Sequence, residues 1–160
     1  MFLRALLAFL ALPGIVAGLL PFLVLGGNPR PAPGAAPGFT ILGAGLALLL
    51  WCVRDFYVSG RGTLAPWDPP RHLVVVGLYR FVRNPMYVAV LTIVAGWGVA
   101  YRSPSVGVYL LVLAAGFHLR VVLGEEPWLR RRYGAEWERY CTAVPRWIPG
   151  PGGRKGAGAL

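Results

Sequence analysis

Apolar residues come in four runs along the chain, and nearly all of the charge is gathered between and after them. The first run, Ala5 to Leu25, carries no charge after Arg4 and has about the 20 residues a helix needs to cross a bilayer core. The second extends from Phe39 to Val53 and stops at Arg54-Asp55, the third from Met86 to Tyr101, and the fourth from Val106 to Leu123. This pattern predicts an all-α integral membrane protein of about four transmembrane helices, in one domain over residues 1–149. The first run also has the outline of a cleaved signal peptide, with Arg4 before it and the small residues Ala17 and Gly18 within it. Its apolar stretch continues to Leu25, further than a signal core requires. Gly14 and Gly18 have the four-residue spacing that lets two helices approach closely, a match that chance also supplies in a chain with 22 glycines.

Past the fourth run, Gly124 and Pro127 predict a bend and a new helix, because proline suits a first helical turn but not a helix interior. Leu129, Tyr133, Trp137, Tyr140 and Val144 then recur at helical spacing, with Arg130, Arg131, Glu138 and Arg139 off that stripe. The expectation is a C-terminal amphipathic helix lying against the protein or the headgroup layer. Between the first two runs, residues 28–38 hold four prolines and predict an exposed connector. Residues 150–160 are glycine-rich and basic, and predict a disordered tail.

Composition agrees with lipid as the solvent: 56% of 160 residues are hydrophobic and 14% are charged. A net charge of +10 would suit a polyanion such as nucleic acid, but the basic residues flank apolar runs, where they contact anionic headgroups. No nucleic-acid partner is therefore expected. Arg4, five arginines from Arg54 to Arg83 and eight basic residues from Arg120 to Lys155 fall on one side of a four-span topology, with only Arg30 and Arg102 on the other. By the positive-inside rule the first side is cytoplasmic, in the inner membrane, and holds both termini and all six acidic residues. Cys52 and Cys141 have no metal-ligand spacing and predict packing roles.

Two segments carry candidate chemistry. Gly77-Leu78-Tyr79-Arg80-Phe81-Val82-Arg83-Asn84-Pro85-Met86-Tyr87 is dense in donors and aromatics, with Asn84 able to cap the helix that Pro85 opens. The positive end of that helix, beside Arg83, favours a carboxylate. The bland reading is a loop with arginines on lipid phosphates and with Tyr79 and Tyr87 in the aromatic belt. Glu125-Glu126 puts two carboxylates at the end of an apolar helix, which costs desolvation unless cations or donors meet them. Those partners could be internal arginines or a ligand amine, ribose or sulfonium. His118, seven residues before Glu125, is two helical turns back and could face the same space. The chain has no P-loop, no zinc-ligand set around His72 and His118, and no nucleophile elbow; Gly60-Arg61-Gly62 is not a dinucleotide fingerprint.

These segments resemble the isoprenylcysteine carboxyl methyltransferase and phospholipid methyltransferase superfamily of integral membrane enzymes. The resemblance covers residues 64–149 and rests on Gly77-Leu78-Tyr79, Arg83-Asn84-Pro85-Met86-Tyr87, Glu125-Glu126, Tyr133-Gly134, Tyr140 and Val144-Pro145-Arg146-Trp147-Ile148-Pro149. It implies a membrane methyltransferase that binds S-adenosyl-L-methionine on the cytoplasmic side and takes a lipidic acceptor from the bilayer, with no metal. It further implies that Gly77, Tyr79, Arg83, Asn84, Pro85, Tyr87 and His118 frame the cofactor, with Glu125 and Glu126 on its amine or ribose. In-line methyl transfer needs orientation and exclusion of water more than covalent help. An anionic acceptor could be held by Arg83 or Arg146, and an amine acceptor would need Glu126 or His118 as base. Asn84 stands where the prenylcysteine enzymes have histidine, which leaves carboxylate, thiol and phospholipid amine all open as acceptors. Two other readings remain: a nicotinamide-dependent membrane reductase, for which the chain is small, and a small transporter, which would place an ionisable group in mid-span.

Overall fold

The computed structural model describes residues 13–59, 73 and 75–149; among these there are only helices, turns and connectors, with no strand. The first part of the first apolar run, Gly60-Arg61-Gly62 with His72, and the basic tail lie outside the described residues. Helix α1 covers Ile15–Val24, α2 Ala36–Ser59, α3 Pro85–Tyr101, α4 Pro104–Arg120, α5 Glu126–Tyr133 and α6 Ala135–Ala143. Two helical segments, Ala36–Asp55 and Pro104–Tyr133, are long and apolar enough to cross a membrane, while Ile15–Val24 and Pro85–Tyr101 are apolar but shorter. By length, then, two of the four expected spans qualify.

The second of these runs unbroken through the position where a bend is expected. Instead of ending at Gly124, α4 passes through a wide π-helical turn, Val121–Glu125, straight into α5. The reason is Pro127. Proline has no N–H to donate, and a π turn shifts the ladder by one residue, with Glu126 donating to the Val121 carbonyl, so the missing donor falls in the first turn of α5. The same device occurs in α1, where the π turn Ile15–Leu19 precedes Pro21. The Val16 carbonyl there accepts instead from the Tyr109 hydroxyl at 2.7 Å, which ties α1 to α4.

α2 and α3 form the most extensive helix pair. Gly38, Gly45 and Gly96 make it possible. A Cβ on Gly45 would lie 2.7 Å from the Ile93 nitrogen, one on Gly96 would lie 2.5 Å from the Leu42 nitrogen, and one on Gly38 would strike Ala100. The expected pair, Gly14 and Gly18, has open space around it instead. Spacing alone does not say which face of a helix meets a neighbour, and here α1 turns those glycines outward. Around the seam lie Leu49, Ala89, Val90, Ile93, Val94 and Val106.

Arg102 ends α3 in the left-handed region (φ 46°), and Ser103 caps α4 by accepting from the Val106 amide. The proline connector reaches the same end of the molecule, because the Ala32 amide donates to the Ala100 carbonyl. Arg30 and Arg102 therefore belong to one end, and the two candidate segments to the opposite one.

The C-terminal stripe is not one helix. Gly134, at φ 50°, separates α5 from α6. The stripe nevertheless closes into one cluster, with Trp137, Tyr140 and Val144 buried and Leu129 and Tyr133 packed on them.

Candidate functional site

Three segments distant in sequence meet at the far ends of α2, α3 and α4. The first is a 3₁₀ turn, Gly77–Arg80, leading through Arg83-Asn84 into α3. Gly77 has φ 54°, a conformation that favours glycine, and the Asp55 carboxylate of α2 occupies the space its side chain would fill. Asp55 is 5% exposed, and its Oδ2 has no hydrogen-bond partner. Tyr79 is buried beside Cys52 rather than lying in an aromatic belt. Burial pushes its phenol well above the ordinary tyrosine range, so it stays neutral.

The third segment, α6 and residues 144–147, is stitched to this turn. The Tyr140 hydroxyl donates to the Tyr79 carbonyl at 2.7 Å, and the Arg83 amide donates to the Pro145 carbonyl at 2.9 Å. Asn84 is the residue before α3 and Pro85 its first, as expected, but the Asn84 side chain does not cap the helix. Its amide donates across to the Arg146 carbonyl at 3.2 Å, because the incoming strand-like segment offers an acceptor closer to hand.

The middle segment is the twin glutamate pair, and the two carboxylates go to different partners. Glu126 takes a two-pronged contact from Arg146, Nε to Oε1 at 2.7 Å and Nη2 to Oε2 at 2.9 Å, and meets Arg83 Nη1 at 3.2 Å. The side chains of Arg83 and Glu126 are 11% and 18% exposed and that of Arg146 is 32% exposed, so the cluster is dehydrated around Arg83 and Glu126 and opens to solvent at Arg146. Arg83 also donates to the Cys141 sulfur at 2.8 Å and lies over the Trp137 ring, while its Nε is buried without an acceptor. The hydrogen bond to Glu126 pushes Arg146 above the ordinary arginine range, and burial pushes the Cys141 thiol up, so the former stays charged and the latter neutral.

Glu125 instead accepts from the Tyr87 hydroxyl and from Arg120 Nε, the latter at 2.9 Å. The π turn is what divides the pair, since its i→i+5 register sets Glu125 over Arg120. His118 does not meet Glu125 in this network: its Nδ1 accepts from Trp147 Nε1 at 3.2 Å. Trp147 in turn stands 6.4 Å from the Tyr87 ring, and Phe117 lies tilted against Tyr87 with ring centroids 4.4 Å apart.

All the residues singled out in the sequence thus lie in one layer. Asp55, Arg120, Tyr140, Cys141 and Trp147 were not singled out as site residues, yet they hold that layer together. Four of them had a signal: Asp55 is an acidic residue at the end of an apolar run, Arg120 an arginine five residues before the twin glutamates, and Tyr140 and Trp147 stand among the motif residues. Among solved structures, none matches the chain. A family model described as phospholipid methyltransferase matches residues 36–136, more than half of the 160.

Proposed function

Because the chain belongs to the phospholipid methyltransferase family, a family of membrane methyltransferases with lipid-type acceptors, we propose that it transfers a methyl group from S-adenosyl-L-methionine to an acceptor embedded in the bilayer. The observation that carries this reading is the Arg83–Glu126–Arg146 cluster. Two guanidinium groups share one carboxylate, which leaves one uncompensated positive charge across a half-exposed Arg146 and a dehydrated Arg83, whose Nε is orphaned. Such a site suits the cofactor's amino-acid portion, whose carboxylate adds the missing negative charge and whose ammonium suits a glutamate. The donor set therefore fits the cofactor. S-adenosyl-L-methionine supplies an electrophilic methyl on a sulfonium.

Arg83 and Arg146 would hold the carboxylate end. Glu125, Glu126 and Tyr87 would hold the amine or ribose, and Tyr79, Gly77, Asn84 and Pro85 would fix the turn beneath them. α6 and Trp147 would cover the site from water, which matters because orientation and dryness do most of the work in such a transfer. As for a base, Glu126 is clasped by two arginines, and the acceptor lone pair of His118 is engaged by Trp147. Both favour an acceptor that arrives already nucleophilic, such as a carboxylate or thiolate. The alternative, a phospholipid amine, is favoured by the description of the matching family. We place four spans in the inner membrane with this layer and both termini on the cytoplasmic side, on the strength of the arginine distribution.

Calorimetry of the full chain in lipid nanodiscs should show binding of S-adenosylhomocysteine and none of NADPH. Incubation with radiolabelled S-adenosylmethionine and a total membrane extract should then label a lipid-soluble product. Binding of NADPH alone would overturn the reading in favour of a reductase.

A further inference from the structure

Residues 144–147 form a strap that runs from the end of α6 across the start of α3 to α4, and its two halves are anchored differently. At the root, the Pro145 carbonyl accepts from the Arg83 amide, the Arg146 carbonyl accepts from Asn84, and the Arg146 side chain clasps Glu126. At the tip, Trp147 has one hydrogen bond among the described residues, from its Nε1 to His118 Nδ1 at 3.2 Å. Beyond it, Ile148 is 78% exposed. The indole ring lies 6.4 Å from the Tyr87 ring on α3 and 6.2 Å from the His118 ring on α4, so it bridges the site-facing ends of the two helices.

The chemistry of that one bond makes it conditional. An indole N–H only donates, so His118 must present a lone pair at Nδ1 and carry its proton on Nε2. A second proton can go only to Nδ1, where it sets two donors face to face and removes the bond. His118 is exposed, so protons reach it. The other titratable groups of the surrounding network are Arg120 and Glu125 from its own helix and the π turn after it, Tyr87 from α3, and Arg146 from the strap. Arginine, glutamate and tyrosine ordinarily titrate outside the range of roughly pH 5 to 8 in which histidine does. Over that range the root keeps its contacts and the tip does not.

We propose that His118 is a positioning residue which holds Trp147 closed over Tyr87 and the twin glutamates, and that its protonation frees the indole and opens the site. The inference rests on the function proposed above, and it makes exchange of the cofactor and its product the pH-dependent step. Neutral His118 keeps the strap shut, and acid opens it. The hinge falls between Arg146 and Trp147, so opening leaves the Arg83–Glu126–Arg146 cluster intact. Loss of one such hydrogen bond shifts the balance between closed and open by about fivefold.

The test uses the full chain in phosphatidylcholine nanodiscs. Between about pH 8 and about pH 5, release of bound S-adenosylhomocysteine from the wild type should accelerate about fivefold. In His118→Asn, whose side-chain oxygen accepts from an indole but does not titrate, the rate should be the same at both ends of that range. Trp147→Phe keeps a ring and loses the donor, so its release should be fast throughout. Acrylamide quenching of Trp147 without ligand, taken as the difference from the matching Trp147→Phe protein, should rise over the same pH interval. A flat quenching profile in the wild type, or a pH dependence of either readout that persists in His118→Asn, would overturn the proposal; a purely structural His118 gives the second result. Quenching that rises while release stays flat would do the same, since the indole would then move without opening the site. So would release from Trp147→Phe as slow as that of the wild type at the higher pH. Failure of the wild type to bind S-adenosylhomocysteine at all would sink the methyltransferase reading instead, and the quenching, which needs no ligand, still decides whether His118 holds the strap.

Discussion

The α2–α3 seam and the charged layer at its end are held together by opposite means. In the seam there is no ion pair among the described residues; glycines at 38, 45 and 96 let two backbones touch. In the layer, arginines, glutamates and tyrosines meet through hydrogen bonds and rings. The difference follows from the solvent. Lipid tails are as apolar as leucine, so helices in a bilayer gain little from hiding apolar side chains and associate by close packing. In the topology proposed above the layer lies at the membrane edge, where water is partly excluded, so a charge that finds its partner there is held firmly and one that loses it is costly.

The largest effect should come from closing the seam. Gly96→Leu would force α2 and α3 apart at Leu42, and should abolish recovery of folded protein, seen as loss of helical circular dichroism and of a monodisperse peak. Gly14→Leu, facing open space, should leave both unchanged; equal damage from the two would erase the contrast between seam and surface.

Next in size is the charged cluster. Arg83→Ala leaves Glu126 with one guanidinium in a dehydrated setting, and should cost about 3 kcal/mol of stability and roughly a hundredfold in S-adenosylhomocysteine affinity, read by chemical denaturation and calorimetry. Arg83→Lys should not restore it, because the fork is lost. A smaller loss is expected on the other branch. Tyr87→Ala and Glu125→Gln should each lower cofactor affinity by roughly tenfold while leaving the helical content intact. Unchanged affinity in both would remove Glu125 and Tyr87 from the site.

Removing the crossing hydrogen bond with Asn84→Ala should cost about 1 kcal/mol, seen as a small fall in melting temperature. Smallest of all is the exposed Arg130–Glu138 pair, 4.0 Å apart. Glu138→Ala should shift stability by less than about 0.5 kcal/mol, and a larger shift would show that exposed charges matter here as much as clustered ones.

Much of this layer was legible in the chain. Pro85 after Asn84 marks the start of α3 because the ring fixes the backbone and removes a donor that has no use there. The same chemistry at Pro127 was misleading about its outcome: a proline signals a disturbed ladder, and only the packing on either side decides whether the helix bends or widens into a π turn. The stripe from Leu129 to Val144 announced a shared buried face, while Gly134 broke the helix that was expected to carry it.

By itself the sequence determined the helical class, the apolar runs, the gathering of charge at one end and the motif residues, since each follows from periodicity, hydrophobicity or backbone chemistry within a few residues. Only the tertiary structure decided which glycines meet a neighbour, that Asp55 fills the place beside Gly77, and that adjacent glutamates part company, one toward Arg83 and Arg146 and the other toward Tyr87 and Arg120. Those outcomes depend on helix rotation and on contacts between segments up to 93 residues apart, which no local pattern encodes.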